Sequence, residues 1–281
     1  MKRSTIVWLI IASLCVAVGL VIIGCAMSAL DFDFTKLSTV KLETNTYKPI
    51  GEFDKISIDV STADVEFILS DDESCKVICY ETEKAKHSVT VEDGVLTISV
   101  SDSRKWYDHI GIGFNNPEIT LYLPKSDYAS LIIDSTTGDV TVPEDFSFTD
   151  LQVSANTGDI TCSASVSNLI KMKSNTGDIY LEKVNAEHIE LSVSTGEIIL
   201  VNVTAQSKLS VKSSTGDIEL HGCDGGDIYI KTSTGDIEGS LLSGKDFIAD
   251  SSTGDVDVPK STGGARCELK TSTGDIEIEI D

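Results

Sequence analysis

Eight carboxylates recur in one short context along the second half of the chain: Asp139, Asp159, Asp178, Glu197, Asp217, Asp236, Asp255 and Asp275. Each follows a Thr-Gly pair and precedes Ile or Val, and the glycine-to-glycine steps are 20, 19, 19, 20, 19, 19 and 20 residues. If equivalent positions align, neighbouring carboxylates lie ~4.8 Å apart, the spacing between paired strands. Like charges that close repel by ~1 kcal/mol in water and by more near a protein surface. Two kinds of chemistry relieve such a row. Calcium, a hard cation that takes oxygen ligands, can bind between the carboxylates. Alternatively, each carboxylate caps its own turn by accepting backbone N–H groups. Capping is the favoured reading and calcium the lesser one, so no cofactor is expected.

Catalytic groupings have little support. His87, His109, His188 and His221 are scattered, and none belongs to an H-E-x-x-H motif. Neither a G-x-S-x-G elbow nor a phosphate-binding loop occurs. Lys171, Lys173, Lys212 and Arg266 form no basic cluster of the kind a polysaccharide lyase needs. Cys75, Cys79, Cys162, Cys223 and Cys267 are irregularly spaced without a C-x-x-C, and they read as buried free thiols. The expectation is that the chain is not an enzyme.

The elements that must hold the carboxylate row follow from the repeat. After each Gly-Asp comes a short alternating piece such as Ile218-Glu-Leu220, then a single apolar residue such as Val184 or Cys223. A second alternating piece follows, such as Leu209-Ser-Val211, and a Ser/Thr run leads into the next glycine. Alternation at period two marks strands with one buried and one wet face. One unit is therefore two short strands and two turns, and cannot bury its apolar face alone. Stacked units share a continuous core, which predicts an all-β, parallel β-solenoid of about 19–20-residue coils. A meandering antiparallel sheet is the rival, but hairpins would show two sharp turns per unit where only one is evident.

Residues 51–134 lack the Thr-Gly-Asp element but contain strand-like stretches such as Lys55–Val60, Asp64–Leu69 and Val95–Val100. They read as an irregular N-terminal part of the solenoid, with Ser61-Thr-Ala-Asp-Val65 a degenerate repeat. Residues 135–281 are the regular solenoid and 31–50 a polar stalk. The loop from Arg104 to Asn116, with Trp106, Tyr107 and His109, is rich in contact-prone residues.

Residues 1–30 form a cytoplasmic tip and a transmembrane helix. Ser4 to Leu30 carries no charge, longer than the ~20 residues a helix needs to cross a bilayer. Lys2 and Arg3 precede it while Asp31 and Asp33 follow, which places the N-terminus inside and residues 31–281 outside. A lipoprotein anchored at Cys25, within Val21-Ile-Ile-Gly-Cys25, is the alternative.

The phrase Ile119-Thr-Leu-Tyr-Leu-Pro124, the following Leu131-Ile-Ile-Asp134 and the Gly-Asp-Ile repeats, behind an N-terminal span, resemble the bacterial "putative adhesin" family of β-strand-repeat proteins, a domain of unknown function. The resemblance covers roughly residues 50–281. It implies a cell-surface β-solenoid and supplies no catalytic residues.

The net charge of −23 over 281 residues disfavours nucleic acid and anionic headgroups and accommodates cations or basic partners. It also keeps the chain soluble and blocks edge-to-edge association. Three functions fit. The first is a non-catalytic adhesin or interaction scaffold that meets a cell-envelope or surface ligand. The second is an envelope-stress or signalling accessory that needs a membrane protein partner, since the tip before Ser4 is too short for a signalling domain. The third, less favoured, is a calcium-dependent polysaccharide-active enzyme.

Overall fold

The computed structural model describes residues 3–29, 31, 42–72, 74–102, 117–261 and 263–281. The loop around Trp106, Tyr107 and His109, and stalk residues 32–41, lie outside them. One helix, α1 (Arg3–Ala29), carries the apolar run. Its 27 residues span about 40 Å at 1.5 Å per residue. From Trp8 to Ala29 the mean hydropathy is 2.8, so by length and composition this helix can cross a membrane. It runs through Cys25 without a break.

All other elements among the described residues are strands, and they form a compact unit of their own. The first seven are β1 (Leu42–Tyr47), β2 (Lys55–Thr62), β3 (Asp64–Leu69), β4 (Lys76–Thr82), β5 (Ala85–Glu92), β6 (Val95–Asp102) and β7 (Glu118–Leu123). Regular coils follow, each a long strand, a Thr-Gly-Asp corner and a short strand. They comprise β8 (Asp127–Thr137) with β9 (Val140–Val142), β10 (Ser147–Thr157) with β11 (Ile160–Cys162), and β12 (Ser165–Thr176) with β13 (Ile179–Glu182). Next come β14 (Asn185–Thr195) with β15 (Ile198–Val201), and β16 (Thr204–Thr215), which leads into β17 (Ile218–Lys231). β17 serves as the short strand of one coil and the long strand of the next, which ends in β18 (Ile237–Leu241). β19 (Asp246–Thr253) with β20 (Val256–Asp257), and β21 (Arg266–Thr273) with β22 (Ile276–Ile280), complete the chain.

The pairing is parallel from coil to coil, as the repeat predicts. Leu131, Leu151, Ile170, Ile189, Leu209, Ile228 and Cys267 are successive register partners, and each is buried. The residue after each Gly-Asp, from Val140 through Ile160, Ile179, Ile198, Ile218 and Ile237 to Ile276, makes a second buried column. Coils of 19 and 20 residues stay aligned because bulges absorb the odd residue. The register slips between Phe148 and Asp150, between Ala186 and His188, and between Ala205 and Lys208. After the second corner Val184, Val203 and Cys223 turn inward and are buried.

Both ends depart from chain order. β2 lies between β6 and β8, and β3 lies between β7 and β9. The coil built from β6 and β7 thus sits outside the earlier β2–β3 coil. β5 then pairs antiparallel with β6, β4 with β7, and β1 with β4, which closes this end. Residues 42–47, placed in the stalk on sequence grounds, are thus a strand of this cap. Asn45 faces Cys79 across the ladder and Tyr47 faces Val77.

At the other end the last two coils exchange places. β21 and β22 insert between the β17–β18 coil and the β19–β20 coil. Among the described residues β19 pairs only with β21, and β20 only with β22. Their apolar side chains show it: Ile248 is 44% and Val256 43% exposed.

Candidate functional site

The carboxylate row is real, and its order is that of the stack. Asp139 N–H donates to Asp64 Oδ1 at 2.9 Å, Asp159 N–H to Asp139 at 2.8 Å, Asp178 to Asp159 at 2.8 Å and Glu197 to Asp178 at 2.7 Å. Beyond Glu197 the bonds run from Asp236 N–H to Asp217 at 2.8 Å, Asp275 to Asp236 at 2.7 Å and Asp255 to Asp275 at 2.7 Å. Each aspartate that accepts in this series therefore caps the corner of the next coil rather than its own turn, and Asp255 ends it. Asp64 belongs to the row although its own corner carries Ala63 in place of glycine.

The corner explains why threonine and glycine precede the aspartate. Gly177 has φ 131°, and a Cβ there would lie 2.2 Å from the carbonyl oxygen of Gly158 in the adjacent coil. Its N–H donates to Thr195 O at 3.0 Å, and the pattern recurs along the stack. The glycine carbonyls take hydroxyls from inside: Ser174 donates to Gly158 O at 3.2 Å, Thr232 to Gly216 O at 3.1 Å and Thr271 to Gly235 O at 3.0 Å.

Glu197 interrupts the row. Its extra methylene displaces the carboxylate, and among the described residues Asp217 N–H has no bond to it. Glu197→Asp is expected to restore the bond and raise stability by about 0.5–1 kcal/mol in chemical denaturation. Because one oxygen of the other aspartates already holds a backbone N–H, calcium is not needed to organise the row. Millimolar calcium is expected to shift the melting temperature by less than about 1 °C. A rise of several degrees would restore the calcium reading.

Among the described residues, two concavities stand out on the surface of the β-unit. One, about 240 Å³, crosses the coils near Asp134, Ser154, Asn156, Lys173 and Asn175, where Asn175 donates to Asn156 Oδ1 at 2.7 Å. The other, about 480 Å³, is lined in part by Ile50, Phe53, Cys75, Pro124 and Tyr128. Phe53 stacks on Tyr128, whose hydroxyl donates to Pro124 O at 2.8 Å.

The cap also contains a buried polar cluster that the sequence reading missed. Glu81, 1% exposed, accepts four hydrogen bonds. The His87 backbone N–H reaches Oε2 at 2.6 Å, as does His87 Nδ1, while Asn45 Nδ2 and Tyr47 Oη reach Oε1 at 2.7 and 2.9 Å. Cys79 and His87 are buried beside it. One donor atom from each of Cys79, Glu81 and His87 lies within 4.8 Å of the other two. The signal was present: in Val77-Ile-Cys79-Tyr-Glu81 and Ala85-Lys-His87, the alternation puts Cys79, Glu81 and His87 on the inner face.

Burial alone would raise the Glu81 pKa. The four hydrogen bonds outweigh it and hold the carboxyl below its usual 4.5. A carboxyl with a lowered folded-state pKa contributes stability above its unfolded value, and loses it as the pH falls through the lowered one. With a chelator present, Glu81→Gln is expected to melt well below wild type at neutral pH. The two should converge at a pH below the usual carboxylate range. A gap that stays constant down to that pH would assign the loss to packing alone.

No curated protein matches the chain. A solved structure described as a "putative lipid binding protein" from Parabacteroides distasonis is 16% identical with a TM-score of 0.53, covering 86% of this chain and 98% of that one. A "putative adhesin" from Bacteroides fragilis is 18% identical with a TM-score of 0.45 (85% and 97% covered). Another from Parabacteroides distasonis is 15% identical with a TM-score of 0.49 (85% and 98%). At these identities the first shows likeness of fold alone. A family model, Toastrack DUF4097, matches residues 53–238 and 170–281, which takes in the β2–β3 coil, the cap beyond β1 and every regular coil. The chain belongs to the Toastrack DUF4097 family.

Proposed function

We propose that this chain is a non-catalytic interaction scaffold of adhesin type, held by α1 with its N-terminus inside and its solenoid outside the membrane. The observation that carries the reading is the in-register stack. Corners are locked to one another by Gly N–H and Thr C=O, and at every step but Glu197 by an Asp carboxylate too, so exposed side chains recur at a fixed interval on a stiff surface. Such a surface presents one chemical motif many times, which favours repetitive or extended ligands of the cell envelope. The acidic balance of −23 favours partners with basic groups. The apolar run of α1 continues past Cys25 to Ala29, which favours an uncleaved span over a lipidated cysteine.

The test is protease treatment of intact cells that express the chain, followed by envelope binding with the released solenoid. The expected result is that the β-unit is accessible from outside and retained by isolated envelope. Retention should weaken when exposed Asp134, Ser154 and Asn156 are replaced together. An inaccessible β-unit would overturn the topology, and unaltered retention would overturn the scaffold role of that face.

The second reading, an accessory to an envelope-stress system, draws on α1, which is long and apolar enough to meet another protein inside the bilayer. It requires a partner within the membrane. Crosslinking through α1 that captures one defined membrane protein, lost when the span is exchanged for an unrelated one, would favour it over adhesion.

A further inference from the structure

The cluster in the cap takes no part in the role proposed above, and the inference drawn from it is independent of that role. We propose that Cys79, Glu81 and His87 form a zinc site. A thiolate, a carboxylate and an imidazole are the donor types that zinc combines, whereas calcium and magnesium take oxygen donors. The strands pre-arrange these three side chains. Cys79 and Glu81 are two residues apart on the inner face of β4, and His87 enters from the inner face of β5. All three are at least 93% buried.

The surroundings divide the Glu81 carboxylate into two roles. Oε1 is held by Asn45 and Tyr47 from β1, which fixes the side chain as outer partners fix a ligating carboxylate. Oε2 accepts from His87 Nδ1 at 2.6 Å, a charge-assisted hydrogen bond with its proton between the two atoms. Zinc in place of that proton needs the two atoms about 3.3 Å apart, the edge of a tetrahedron with bonds of ~2.0 Å. Cys79 Sγ completes three donors and leaves a fourth position for water. Burial first, and then the Glu81 charge, push the Cys79 thiol up to about 12, so the free thiol is neutral. Zinc binding releases the thiol proton and leaves His87 with its proton on Nε2.

The test uses the full-length chain in detergent, stripped with chelator and titrated with zinc alone. One equivalent should survive gel filtration. Cobalt in place of zinc should give a thiolate-to-metal absorption band that Cys79→Ser abolishes. Tyr47→Phe, which keeps the ligands and removes one outer partner, should weaken zinc binding about 10–100-fold with the fold intact. The proposal is overturned if no zinc is retained, or if the cobalt band persists in Cys79→Ser. Should Cys79→Ser fail to fold, unchanged zinc affinity in Tyr47→Phe overturns it instead.

Discussion

Gly177→Val is expected to cost about 4 kcal/mol or more and to collapse the cooperative unfolding transition of the solenoid. Two effects act together. A φ of 131° is closed to β-branched residues, and the new Cβ would meet Gly158 O at 2.2 Å, where the obstacle is backbone rather than a movable side chain. Relief requires Gly158 and Gly177 to separate, which pulls apart the Gly158 N–H to Thr176 O bond and the Asp178 N–H to Asp159 bond. Gly263→Ala is the control. Its φ is 75° and nothing lies within 4 Å of the added Cβ, so only the intrinsic left-handed cost of ~1–2 kcal/mol applies. Urea denaturation followed by circular dichroism measures both. Equal losses in the two variants would show that coil-to-coil approach at the corner is not the limiting contact.

The second large effect concerns chain order. Truncation after Ser261 removes β21 and β22, which have β17–β18 on one side and β19–β20 on the other. The expected result is that residues 246–257 unfold as well, although none of them has been deleted. Both coils are lost, and with them the burial of Cys267, Leu269, Ile276 and Ile278, each aliphatic side chain worth roughly 1.5–3 kcal/mol. Hydrogen exchange on the truncated chain should find the amides of Phe247 to Asp257 unprotected, with protection retained from Leu131 to Ile189. Persistent protection of β19 would mean that it can pair directly with β17, and that the exchanged order is one of two accessible stackings.

The solenoid itself was legible because its information is periodic. Eight glycines at 19–20-residue steps, with an apolar residue two positions after each, fix the corner, the inward columns and the parallel pairing together. Neither end obeys that period. Nothing in Arg266–Ile280 distinguishes a terminal coil from an inserted one, since its Thr-Gly-Asp-Ile is the same as that of its neighbours. In the observed order Leu269 covers Ile230 and Ile276 covers Ile237, a pairing between surfaces that local pattern does not encode. Leu42–Tyr47 was hidden for a related reason: its value lies in Asn45 and Tyr47 reaching Glu81, an acid more than thirty residues away. The direction of the aspartates was half legible. A turn carboxylate was expected to accept N–H groups, but the donor belongs to the next coil, which only the register reveals.

The exchanged order at both ends makes completion of this protein depend on synthesis as well as on pairing. A polypeptide that leaves the ribosome or an export channel from its N-terminus presents β2 before the strands that flank it on either side. It presents β19 before the segment that must slip beneath it. The middle coils can add one upon another as they emerge, but each extremity must wait, unzipped, for a later arrival. The far end therefore closes only once Arg266–Ile280 has emerged, and a chain released before that segment carries an unfinished extremity that quality-control proteases can recognise.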